Sequence, residues 1–392
     1  MVKRSLQAPE VEVPAAAQGL GTALAGMLLI ATTYGMARFG VGLFGPAFEA
    51  ERPELAGVLG WAAAAQFTSF SVAALLAARL VGPRPRWGVA LAGATAAGGS
   101  LVVAFAGHPA LFIAAVFLGG MGAGFASPAL VRIVDAAVPA SSASTAQGVV
   151  NSGTAVGVVG AGMVAFTSPG LAAAWVLMAA LCVGSAAMVW LRGSRADALE
   201  ASAALAGRIV AGPRRALAVP AVAAAVAGAA SALVWTFGPL MVTSAGALPP
   251  EHAGWLWVAL GLGGLLGVLT GALVHQLGIR LGWLSCAAAL ALAIGGVGLS
   301  THGQLPALAY GGMALFGAAY MSLSGVLILW AREAWPGHGG EGTSLLFIAL
   351  ATGQAVGSAT FGLTDLSRPG LISLAAVVIC VTGGLLGLVR WR

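Results

Sequence analysis

Arg38 lies within a long apolar run, one helical turn beyond Tyr34. Arginine cannot shed its proton, so a guanidinium surrounded by apolar residues is costly unless something compensates it. No Asp or Glu falls centrally in any apolar run of the chain. Asp135 and Glu333 lie near run ends on one side, and Asp365 lies near a run end on the other. An unpaired cation invites an anion. On this reading Arg38 binds a carboxylate or similar oxyanion of a solute, with Tyr34 as hydrogen-bond partner and aromatic wall. The competing reading has Arg38 extend its stem to the membrane interface or donate to carbonyls at a helix end.

The remaining polar candidates are uncharged. Gln66, Thr68, Ser69, Gln147, Asn151 and Gln354 stand in apolar runs, as do the aromatic residues Trp235 and Tyr320. Each can contact a solute, and each can equally hold transmembrane helices together. Other chemistries lack their residues. Paired acids or clustered histidines for an integral membrane enzyme are missing, and Lys3 is the sole lysine, so no phosphate-binding loop ending in Gly-Lys can form. Cys182, Cys286 and Cys380 each fall inside an apolar run and imply neither a disulfide nor a metal site. No cofactor is expected. Proton coupling has no central carboxylate to use; His275 and the loop histidines His108, His252, His302 and His338 are poor substitutes, which leaves a peripheral acid such as Asp135, a proton carried with the substrate, or uncoupled transport.

These residues are positioned by helices in a bilayer. Charged residues make up 8% of the 392-residue chain and hydrophobic residues 59%, far from the balance of a soluble domain. Twelve spans are predicted: 19-44, 55-80, 88-106, 110-132, 144-166, 171-191, 216-243, 254-275, 281-299, 306-330, 343-363 and 370-389. Continuous apolar runs of this length exclude the alternating pattern of an outer-membrane barrel. The fold class is thus all-α integral membrane. The polar segment 1-18 reads as a cytoplasmic tail, and the run after it is too long for a cleaved signal.

Of the 18 Lys and Arg, all but Arg38, Arg52 and Arg368 fall on one side of the membrane. Positive residues mark the cytoplasmic side, so both termini are expected there. Glu49, Glu51, Glu54, Glu251 and Asp365 mark the opposite face. The basic charge is spread over loops, which argues for topology rather than nucleic-acid binding.

The second six spans echo the first six. Phe44-Gly45-Pro46 matches Phe237-Gly238-Pro239, Ala56-Gly57 matches Ala253-Gly254, and Gly153-Thr154-Ala155-Val156-Gly157 matches Gly353-Gln354-Ala355-Val356-Gly357. The division is 19-191 and 216-392, joined by a cytoplasmic linker at 192-215 whose middle, 195-208, has the pattern of a surface helix. An even number of spans per half relates the halves by an axis along the membrane normal. Spans 3, 6, 9 and 12 carry little polarity and suit the lipid-facing rim. Spans 1, 4, 7 and 10 carry Thr32, Thr33, Tyr34, Arg38, Ser127, Ser231, Trp235, Thr236, Tyr320, Ser322 and Ser324, and suit a central cavity.

In these features the chain resembles the major facilitator superfamily across all twelve spans. That family's loop motif between the second and third spans of a half is matched by Gly271, Gly278 and Arg280 in the second half, with His275 and Gln276 in place of the Asp-Arg pair. The first half keeps Arg79, Gly82, Arg84 and Arg86 but has Ala74 and Ala78 for Gly and Asp. The resemblance implies a conformational latch at Arg79, Gly271, Gly278 and Arg280, while the substitution at Ala78 leaves simple anchoring by the arginines as the alternative. Span 5 resembles the exporter motif through Gly153, Gly157 and Gly162, with Val158 in place of Pro, Ala161 in place of Gly, and Val116 where an exporter carries Arg in span 4. Helix packing at Gly153 and Gly157 is the other reading.

The function so implied is secondary active transport of a small organic solute, a carboxylate or other anion being favoured, by alternating access. A proton-coupled drug or metabolite efflux antiporter is the alternative. Expected partners are a small-molecule substrate, a coupling proton and the lipid bilayer; the expected state is a monomer in a bacterial inner membrane. Substrate-site candidates are Arg38, Tyr34, Gln66, Asn151, Trp235, Tyr320 and Gln354.

Overall fold

The computed structural model describes residues 15–80, 84–192, 214–303 and 305–389. The polar tail up to residue 14 and nearly all of the linker, including 195-208, lie outside the described residues. The described chain is helical, with no strand. Eleven runs are long and apolar enough to cross a bilayer, and one of them, Pro250–Gly303, is 54 residues long. That run is two spans. Gly278 breaks it with φ 77° and ψ 165°, a conformation open to glycine. Twelve spans result, as the sequence predicts.

Four of the spans are helices that start with proline, at Pro85, Pro109, Pro306 and Pro369, where the missing N–H costs nothing. Span 1 departs from this. It begins as an α-helix at Ala15–Ile30, continues as a π-helix at Ala31–Arg38, and bends at Phe39 and Phe44 before ending at Glu51.

Small residues bring the helices together. A Cβ on Gly153 or Gly157 in span 5 would strike the carbonyls of Met27 or Ala31 in span 1. A Cβ on Gly353 or Gly357 in span 11 would strike those of Ala225 or Ala229 in span 7. The repeated Gly-x-x-x-Gly motif thus makes the same close helix pair once in each half. The halves meet where span 2 packs on span 11, span 5 on span 8, and the end of span 1 on span 7. Spans 3, 6, 9 and 12 pack within their own half. Their outer residues face the bilayer, among them Phe105, Leu191, Leu292 and Leu371.

Contacts between the halves are tightest toward the acidic face. Gly42 abuts the Trp235 carbonyl, Gly60 abuts Gly362, and Gly162 abuts Gly254, each with no room for a Cβ. Gly42 and Trp235 are counterparts under the offset that aligns Phe44 with Phe237, so they flank the pseudo-two-fold axis.

Candidate functional site

Span 1 is shaped by its own threonines. Thr32 and Thr33 both direct their hydroxyls to the Leu29 carbonyl, at 3.2 and 2.7 Å. Such bonds compete with the backbone N–H for that acceptor and favour a widened turn. The π-helix beyond them adds residues to the turn, and each residue added rotates the rest of the span by about 100° about the helix axis. Gly35 allows this stretch to lie directly against Gly157 and the Thr154 carbonyl of span 5.

Arg38 closes the π-helix and is 1% exposed. Its guanidinium carbon lies 4.4 Å from the Tyr34 ring centroid and 4.3 Å from that of Phe70, with Phe39 and Phe67 each at 5.3 Å. Nε and Nη1 have no hydrogen-bond partner. Among the described residues Arg38 is the one charged side chain that is buried, so no carboxylate is present at its depth. The side chain is packed inside the bundle, and its Nε and Nη1 donate to no helix-end carbonyl. Aromatic faces offset part of the cost of the buried charge, at about 2 kcal/mol or more for a desolvated contact. They accept no conventional hydrogen bond, so the unfilled donors remain costly.

The cage continues into the second half. Phe39 stacks on Trp235 with centroids 3.9 Å apart and planes at 13°. Trp235 in turn meets Tyr320 edge-on at 5.2 Å, Phe316 at 5.5 Å and Trp257 at 5.7 Å. Gln354 Nε2 donates to the Tyr320 hydroxyl at 3.0 Å, and its Oε1 is buried without a partner. Trp235 Nε1 and Trp257 Nε1 are likewise buried and unpaired. So is Gln66 Oε1, on span 2 one turn before Phe70. Arg38, Tyr34, Trp235, Tyr320 and Gln354 thus line one continuous aromatic centre spanning both halves. Gln66 shares a helix face with Phe70 of the cage.

Other polar candidates are otherwise engaged. Asn151 is exposed, one turn from Ala155, which packs on span 8. Gln147 donates to the Val131 carbonyl. Thr32 bonds Ser185 of span 6 at 2.7 Å, Thr236 bonds Ser358 at 2.9 Å, and Ser69, Ser127 and Ser231 bond back to their own helices. Sequence reasoning does not single out Phe39, Phe67, Phe70 or Trp257. The spacing of Phe67 and Phe70 puts both on one helix face, a signal hidden by the abundance of aromatics in apolar runs.

The loop residues sit apart from this centre. Arg280 Nη1 donates to the Val389 carbonyl at 2.8 Å and to Leu388 at 3.2 Å, where span 12 ends. Arg86 donates to the Trp190 carbonyl at 3.0 Å, at the end of span 6 in the first half. Each arginine caps carbonyls at a helix C-terminus within its own half. Gly271 has open space around it, and Gly278 supplies the break between spans 8 and 9. Arg79 falls in the helix Leu59–Leu80, and its side chain lies outside the described residues.

On the acidic face the charges serve helix ends. Arg52 donates to the Val103, Ala104 and Ala106 carbonyls, and Glu51 accepts from the Leu171 amide at 3.3 Å. Hydrogen bonds from Ser367, the side chain first and the backbone second, hold the exposed Asp365 carboxyl below its usual range, so it stays ionised at neutral pH. Asp135, Glu333 and His275 are exposed. Among the described residues no group of His, Cys, Asp and Glu is placed to hold a metal ion.

The family model described as Major Facilitator Superfamily matches residues 20–358. Among solved structures, the chain is similar to a D-xylose–proton symporter at 16% identity and TM-score 0.74, covering 95% of this chain and 97% of that one. It is similar to the nucleoside transporter NupG at 12% identity and TM-score 0.71, covering 96% and 100%. A mutant of the peptide transporter POT matches at 16% identity and TM-score 0.68, covering 94% of each chain. No curated protein matches the chain in sequence.

Proposed function

Since the chain belongs to the major facilitator superfamily, we propose that it carries a small organic anion across the membrane by alternating access, with Arg38 as the anchor for the negative group. Membership and the transporter folds it shares indicate secondary transport rather than catalysis. The anionic substrate is supported by one observation above all. Arg38 is the sole buried charge among the described residues, and its Nε and Nη1 find no acceptor in the protein.

A bound carboxylate supplies both the countercharge and the acceptors. Tyr34, Trp235, Tyr320 and Gln354 form the wall around it, Gln66 contributes from span 2, and Asn151 meets solute along the path toward the arginine-rich face. Contacts at Gly42, Gly60 and Gly162 seal the acidic face in this conformation. Arg79, Gly271, Gly278 and Arg280 set the loop geometry that changes as the halves rock. The protein works as a monomer of two bundles, 19-191 and 216-392, in a bacterial inner membrane with both termini cytoplasmic. Proton coupling, where present, uses the protonation of the substrate or a peripheral acid such as Asp135.

Efflux of cationic drugs has less support. The span 5 glycines that resemble an exporter motif make the same helix contacts as their counterparts in span 11, and a buried arginine repels a cation. The test is uptake by proteoliposomes of labelled organic acids, amino acids and cationic dyes, with and without a pH gradient. Organic acid flux that requires Arg38 supports the reading, and flux of cationic dyes alone overturns it.

A further inference from the structure

We propose that the rim of the first half, where span 3 begins and span 6 ends on the arginine-rich face, seats an anionic phospholipid. This seat is separate from the aromatic centre around Arg38 and does not depend on the identity of the solute.

Spans 3 and 6 pack on each other and run antiparallel, so Arg84 at the start of one and Arg192 at the end of the other stand at the same level. Just inside them, Arg86 Nη2 donates to the Trp190 carbonyl at 3.0 Å, and the Arg86 guanidinium carbon lies 4.5 Å from the Trp190 ring centroid. That pairing fixes the two helix ends together. Trp87 meets the Trp190 ring edge-on at 6.0 Å, yet Trp87 is 54% exposed and Leu191 is 76% exposed. Large apolar side chains so exposed are stable beside acyl chains, and tryptophan favours the level of the headgroups. Arg84 and Arg192 are exposed at that same boundary.

Charge decides which lipid fits. Between Glu54 and Asp197 the chain carries six arginines and one acid, Asp135. Guanidinium groups present paired N–H donors that match a phosphate, and each cation near the surface favours an anionic lipid by about 1 kcal/mol. A zwitterionic headgroup brings its own cation and gains less. The phosphate is therefore held by Arg84 and Arg192, and the acyl chains run past Trp87 and Leu191.

The second half does not repeat the seat. An offset of 194 sets Arg86 on Arg280, which caps the end of span 12 as Arg86 caps span 6. The same offset sets Arg84 on Gly278 and Trp87 on Leu281. The nearby Trp283 is buried, with its Nε1 donating to the Gly383 carbonyl at 3.0 Å. The exposed pairing of arginine with tryptophan thus belongs to the first half.

The test is native mass spectrometry of the purified full-length protein in detergent, supplied with equal amounts of phosphatidylglycerol and phosphatidylcholine of the same acyl chains. The wild type is expected to retain phosphatidylglycerol at least about fivefold over phosphatidylcholine. Arg84→Gln combined with Arg192→Gln should cut that preference to below about twofold. Arg215→Gln combined with Arg332→Gln removes the same charge from exposed positions on the arginine-rich face of the second half and should leave the preference unchanged. Millimolar inorganic phosphate should not displace the lipid. Absence of a preference in the wild type overturns the proposal without recourse to any variant. So does a preference that survives loss of Arg84 and Arg192, or one that falls equally in the second-half pair, which would reduce it to general surface charge. Displacement by inorganic phosphate would make the seat a free-anion site and overturn it as well.

Discussion

At the scale of the residue, the buried guanidinium carries two opposed predictions that a structural arginine would not satisfy together. Replacing an uncompensated buried charge by an apolar side chain of similar volume is neutral or stabilising by about 1–4 kcal/mol. Arg38→Met should therefore raise the thermal midpoint of the purified protein or leave it unchanged, and a clear fall would show that the charge holds the fold. In transport the same change removes the partner of a charged group. The initial rate should fall at least ~30-fold at equal protein amount, the equivalent of about 2 kcal/mol, with Arg38→Lys recovering part of it. Arg38 was legible in the sequence because one arginine among apolar residues stands out. Its surroundings were not. Phe67 and Phe70 look like ordinary core residues until the helix register is known, and Thr32, Ser127 and Ser231 look like cavity polarity until Thr32 is seen to bond span 6 and the two serines to bond back to their own helices.

At the scale of the element, span 1 holds the feature that sequence periodicity could not supply. The expected 19-44 segment is present as membrane-spanning structure, but its π-helix at Ala31–Arg38 changes which residues share a face. Propensity rules for α-helices do not register such an insertion, which here goes with two hydroxyls donating to the Leu29 carbonyl. Gly278 is the opposite case, a glycine whose conformation the sequence leaves open. With φ 77° and ψ 165° it occupies a region that other residues enter only at a cost, so Gly278→Ala should lower stability by about 1–3 kcal/mol, read as a lower thermal midpoint. An unchanged midpoint would mean that the loop relaxes freely around the new Cβ. Gly42 governs a contact between the halves. A larger side chain cannot sit against the Trp235 carbonyl, so Gly42→Leu should hold the acidic face open. With Cys182, Cys286 and Cys380 replaced, a cysteine at Ser231, one turn before Trp235, should then react several-fold faster with a maleimide applied from the acidic side; equal rates would place the seal elsewhere.

At the scale of the whole molecule, the twelve spans, the lipid-facing rim and the repeat were readable because a bilayer imposes length and polarity on every segment. The same glycine pattern at 153-157 and 353-357 produces the same helix contact in both halves, so symmetry of sequence became symmetry of packing. The charge on one side of the axis is what breaks it: Arg38 has Ser231 as its counterpart. The arginines of the loops predict the topology. A cysteine at Glu54 should be labelled by an impermeant reagent on intact cells, and one at His338 only after the membrane is opened; the reverse pattern would invert the protein. Alternating access around a single buried cation is the central claim, and its most direct measurement is the initial rate of uptake of labelled organic acids into proteoliposomes by the wild-type protein and by Arg38→Met. The account predicts saturable uptake by the wild type and none above protein-free vesicles by the variant, whose thermal midpoint is at least that of the wild type. Equal uptake by the two proteins would contradict it.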